Sequence, residues 1–197
     1  PTYVQRPQDI LRLIAYAEAE SSASGEFAGL VDPERTAVTG MSSGSLGTFA
    51  AGGAQLDLTR CLDPNEEFEC SQIQGHEEDL ASLAGLEAVP EGVWPPIFEE
   101  PVDAIIPIVP DYGLYGPDDI GMTSVTIPTL IIGGGGDTVN PIDKGAIPFY
   151  ERIGSENKAL VILDSAWHLF IVNACPANPW MATDAGFGHW YCSDAVW

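Results

Sequence analysis

A serine hydroxyl becomes a nucleophile when a base takes its proton and a third group orients that base. The chain holds only three histidines, so the search for such a set is short. Gly40-Met41-Ser42-Ser43-Gly44 fits G-x-S-x-G, a sharp strand-to-helix turn that lifts the central hydroxyl clear of the backbone. In such a turn the next amide, that of Ser43, points to where an oxyanion would form, and the helix N-terminus adds its partial positive charge. Ser43 and Ser45 lack glycine at both −2 and +2, so Ser42 is the expected nucleophile. His168 follows the apolar run "ALVILD" after the short loop "SAW", at a strand's carboxyl end, where sites in parallel sheets gather. It is the expected base. His76, in an acidic segment, and His189, in a cysteine-flanked tail, read as surface or locally bonded histidines. Asp137, just past "TLIIGGGG", is the expected orienting acid. Asp111, after "IIPIVP", is its rival, and Asp164 is too close in sequence to His168 to orient it easily.

These residues need a scaffold, and the apolar pattern supplies one. "RPQDILRLIAYAEAE" places Ile10, Leu11, Ile14 and Ala17 on one helical face, with Pro7 suited to a first turn. "RTAVTG" (35–40) reads as a strand, and "SGSLGTFAAGGA" as the small-residue helix after it. Three more runs, "VDAIIPIVP" (102–110), "PTLIIGG" (128–134) and "ALVILD" (159–164), have the continuous Val/Ile/Leu character of parallel strands buried on both faces. "PIDKGAIPFYERIG" between the last two has helix length. Strand, helix and strand in alternation predict a single α/β domain over 1–197, with a mostly parallel sheet flanked by helices. Residues 55–100 differ: acidic, cysteine-bearing, with a helix expected over 77–87, they read as an insertion, an excursion from the sheet core.

Composition narrows the partners. Of 197 residues 45% are hydrophobic, enough for one packed core. Seven Lys+Arg against 29 Asp+Glu leave a net charge of −22, which repels nucleic acid and anionic lipid. No apolar run reaches the roughly 18 residues a membrane span needs. Gly133–Gly136 lacks the G-K-[ST] ending of a nucleotide loop, and "DPNEEFE" (63–69) lacks the glycine and closing Glu of a calcium loop. No cofactor and no metal is therefore expected. Trp167, Trp180, Phe187, Trp190 and Tyr191 suit core and tail packing better than a substrate groove. The four cysteines have no C-x-x-C spacing. Local pairing, Cys61 with Cys70 and Cys175 with Cys192, is expected, and disulfides would place the protein in an oxidising compartment, secreted or periplasmic.

"VDPERTAVTGMSSGS" resembles the approach to the nucleophile in α/β-hydrolases. "IPTLIIGGGGDTVNP", "IPFYERI" and "LDSAWHLF" resemble the acid and histidine segments of the dienelactone-hydrolase-like and acetylhydrolase-like branch. The acid segment is also similar to that of bacterial cutinases, the polyesterases. The resemblance runs from about residue 30 to 175 and implies an α/β-hydrolase fold with Ser42 as nucleophile, Asp137 as acid, His168 as base and the Ser43 amide in the oxyanion hole. Met41 stands where such enzymes often have His, and Ser45 where a second Gly is usual. The family places strands and a second oxyanion amide before the nucleophile strand, so an N-terminal segment of the same domain, outside this chain, is the expected partner.

The activity so implied is a serine carboxylester hydrolase acting on a small-molecule or polymeric ester. A prolyl-oligopeptidase-like peptidase shares the order Ser, Asp, His, and a non-catalytic hydrolase-fold binding protein is the alternative of another class. None of the seven Lys/Arg lies in the three catalytic segments "GMSSG", "GGGGDTVNP" and "LDSAWHLF", so a neutral or apolar ester is expected.

Overall fold

The computed structural model describes residues 2–32, 34–58, 61, 70, 73–112, 115, 120–171 and 177–182. Cys175, Cys192, His189, Phe187, Trp190 and Tyr191, and the acidic run 63–69, lie outside them. Four strands form one parallel sheet in chain order: β1 (Ala37–Met41), β2 (Ala104–Ile108), β3 (Thr129–Gly134) and β4 (Lys158–Leu163). Registers pair Thr39 with Ile106, Ile108 with Ile132, and Ile132 with Val161, so side chains align in rows across the sheet. Among the described residues four α-helices accompany it: α1 (Thr2–Glu20), α2 (Gly44–Ala51), α3 (Glu77–Leu83) and α4 (Ala146–Arg152). A parallel sheet flanked by helices, with each connection crossing over, is an α/β fold.

The core lies on one face of that sheet. Ile105, Ile131 and the alternate positions in line with them meet α2 and α4, whose Phe49 and Phe149 rings pack tilted at 43° with centroids 4.7 Å apart. Helix α2 is buried along almost its whole length, so its small residues are needed to let neighbours close in. Helix α1 packs on its outer side, where the Ile10 methyl would collide with a Cβ at Gly47. The opposite row of the sheet does not meet the expectation of strands buried on both faces. Ile106, Ile108, Leu130 and Ile132 are only half-buried, and Val161 and Leu163 are 41% and 40% exposed. A continuous apolar run records that a strand is apolar on both sides, not that both sides are covered.

Two boundaries also move. Helix α1 begins at Thr2, so Pro7 sits inside it and not in its first turn; its ring is buried. Helix α3 stops at Leu83, where Ala84 and the left-handed Gly85 end it. Residues 55–100 contribute Leu56, Leu58, Ile73, Leu80, Trp94 and Phe98 to the same buried cluster as the sheet. Within that segment Cys61 and Cys70 form a disulfide. A bridge between Asp57 and Val93, and the Gln55 side chain donating through Nε2 to the Trp94 carbonyl at 2.9 Å, close its two ends.

Candidate active site

Strand β1 delivers Ser42 into a turn with φ of 53°, a left-handed backbone that costs a non-glycine residue about 1–3 kcal/mol. What forces that conformation is the immediate start of α2 against β1. A Cβ on Gly40 would run into the Gly44 carbonyl and the Thr48 hydroxyl, so the strand can approach the helix only without one. Gly44, by contrast, faces open space. The turn is held from below: the Ser42 amide donates to the Ile108 carbonyl at 2.9 Å, and the Ser45 hydroxyl donates to the Ser42 carbonyl at 2.6 Å. Ser45 also accepts the Asp111 amide at 3.0 Å. The serine that departs from the usual glycine thus ties the elbow to the end of β2.

The strand ends bring the other two groups to Ser42. Beyond β3, the Asp137 Oδ1 accepts the amides of Val139 and Asn140 at 2.8 and 2.9 Å. Asn140 in turn donates to the carbonyl of Val109 at 2.8 Å. Val109 itself has φ of 40°, a strained setting for a β-branched residue, at the end of β2. Beyond β4, the loop 164–167 carries His168. Its Asp164 and Ala166 carbonyls lie where side chains on Gly135 and Gly134 would be, and Gly136 donates to Ala166 at 3.0 Å. The glycine run is there to let this loop settle on the end of β3.

His168 is buried, with Nδ1 2.8 Å from Asp137 Oδ2 and Nε2 2.8 Å from Ser42 Oγ. The Asp137 side chain is fully shielded from solvent. A carboxylate only accepts, so Nδ1 carries the proton, and the Nε2 lone pair faces the Ser42 hydroxyl. The arrangement can take a proton from Ser42 and hold the resulting imidazolium against a buried carboxylate. Ser43 is the N-cap of α2, and its amide has no partner among the described residues. Asp111 sits at the end of β2 with its amide on Ser45, while both ring nitrogens of His168 are taken by Ser42 and Asp137. His76 is exposed, 3.4 Å from Asp79.

One residue arrives that sequence reasoning missed. Arg6 of α1 places Nη1 3.4 Å from the Ser43 hydroxyl, across a separation of 37 residues. A cation therefore stands beside the turn although none lies in the three segments that form it. Only the packing of α1 on α2 reveals it; the helical stripe of α1 was legible, but not the point where its N-terminal part meets the elbow.

Residues 99–185 match a protein-family model described as PETase, PET hydrolase-like. That stretch carries β2, β3, β4, Asp137 and His168, and begins downstream of Ser42. The matched stretch is similar to α/β-hydrolases of the cutinase and polyesterase kind, and the parallel sheet flanked by helices is consistent with that relationship. The relationship is to enzymes that hydrolyse esters. No curated protein matches the chain.

Proposed function

We propose that the protein is a serine carboxylester hydrolase working through an acyl-enzyme. The observation that carries this reading is the continuous hydrogen-bonded line Ser42–His168–Asp137, with 2.8 Å at each link. Ser42 Oγ attacks the ester carbonyl carbon as its proton passes to His168 Nε2. The oxyanion forms next to the Ser43 amide at the start of α2. His168 then returns the proton to the departing alkoxide, leaving an ester on Ser42, and water repeats the sequence to release the acid. The polyesterase-like match over 99–185 favours esters over peptides as the substrate class. The Cys61–Cys70 disulfide supports an oxidising compartment outside the cytoplasm. Among the described residues no helix is long and apolar enough to cross a membrane. The expectation of a neutral ester rests on the lack of a cation in the segments that carry Ser42, Asp137 and His168; Arg6, from α1, stands beside the first of them.

Ser42→Ala tests the reading. Hydrolysis of a short neutral ester should fall by several decades in kcat while the circular dichroism spectrum and melting stay those of the parent. A folded Ser42→Ala protein that hydrolyses within tenfold of the parent would refute the serine mechanism.

A further inference from the structure

Arginines in so acidic a chain should find carboxylates, and two others do: Arg12 bonds Asp9 at 2.6 Å and Arg35 bonds Asp32 at 2.7 Å. Arg6 does not. Asp9, its own neighbour one turn on along α1, is engaged by Arg12, and no described carboxylate pairs with Arg6. Among the described residues its one bond is the long one to the Ser43 hydroxyl, a neutral group, and the side chain is exposed to solvent. Guanidinium has five donors in a planar fork, so one weak contact leaves most of its capacity for a ligand. The residue it touches adjoins the nucleophile, and consecutive Cα atoms are about 3.8 Å apart. An anionic group a few bonds from a carbonyl held at Ser42 would therefore fall within reach of the fork. Of the net charge of −22, the part beyond a Debye length of about 8 Å is largely screened at physiological ionic strength, and Asp9, one turn from Arg6, is paired with Arg12. Asp137 is shielded from solvent and turned to His168.

We propose that Arg6 is a specificity-determining residue and that the site takes esters bearing a carboxylate close to the scissile carbonyl, such as half-esters of dicarboxylic acids. The inference rests on the serine esterase reading and deepens it. An anionic substrate would replace water around Arg6 with a charge-assisted, bidentate pair, while a neutral ester of the same shape would leave the cation as it is.

The test compares monoethyl succinate with ethyl butyrate on the full chain, followed by pH-stat. The readout is the ratio of kcat/KM for the anionic ester over the neutral one. Arg6→Gln should lower that ratio by at least about fivefold, the loss of one charged hydrogen-bond pair at a solvated site, and Arg6→Glu should lower it further. The parent's ratio should also fall between low salt and about 0.5 M NaCl, and that of Arg6→Gln should not. A ratio that changes by less than fivefold in both variants overturns the proposal, whether both rates fall together or neither does. Failure of the esterase reading looks different: the parent would then hydrolyse neither ester, or Ser42→Ala would hydrolyse both.

Discussion

Asp137→Asn separates orientation from packing because the two carboxylate oxygens have different partners. Oδ1 accepts two backbone amides, from Val139 and Asn140, and Oδ2 faces His168 Nδ1. Asparagine fits the same space, but only its carbonyl oxygen can accept those amides. Its NH₂ must therefore take the Oδ2 position and point donors at His168. The imidazole then has to accept at Nδ1, which moves its proton to Nε2, toward Ser42. With no lone pair on that side the ring cannot act as base. The same exchange of acid for amide in a serine protease costs on the order of 10⁴ in kcat, or about 5 kcal/mol of transition-state stabilisation. Melting should change little, since the two amides keep their acceptor. Steady-state hydrolysis of ethyl butyrate beside a thermal melt gives both numbers. Asp111→Asn is the control, expected within a few-fold of the parent because His168 has no ring nitrogen left for it. An Asp137→Asn enzyme within tenfold of the parent, or an Asp111→Asn enzyme with the larger loss, would refute the reasoning.

Ser45→Ala removes the hydroxyl that joins the Ser42 carbonyl to the Asp111 amide, leaving that part-buried amide without this acceptor while the carbonyl keeps the backbone amide of residue 45 at 2.8 Å. A stability loss of about 1–3 kcal/mol in urea unfolding is expected, with kcat reduced as the elbow loosens; unchanged unfolding would show that the link carries no strain. Replacing Cys61 and Cys70 by Ser opens a disulfide spanning nine residues, which in the chain-entropy model contributes about 2–3 kcal/mol. The doubly substituted protein should unfold at correspondingly lower denaturant, and two free thiols in the untreated parent at these positions would contradict the pairing.

The residues at strand ends were readable because a parallel sheet has one address for chemistry, the carboxyl edge. Ser42, Asp137 and His168 each follow a short apolar run, so finding the runs located the side chains. Position along a strand is set by local pattern; position across the molecule is not. Arg6 illustrates the limit, since its closeness to Ser43 depends on where α1 packs on α2. The buried links of Ser45 and Asn140 were equally hidden, because a polar residue in a loop does not announce its partner. Val161 and Leu163 show the converse: apolar types at alternate positions predicted a covered face, and the described structure leaves that row open. The local pairing of Cys61 with Cys70 needed only their separation and the loop between them.

The central claim is that Ser42, and no other serine of the elbow, attacks the substrate. Incubation of the intact protein with a fluorophosphonate, followed by peptide mass spectrometry, reads this directly. A stoichiometric adduct on Ser42, absent from Ser42→Ala and strongly slowed in Asp137→Asn, is the expected result. An adduct on Ser43 or Ser45, or no labelling of a folded protein that hydrolyses esters, would contradict it.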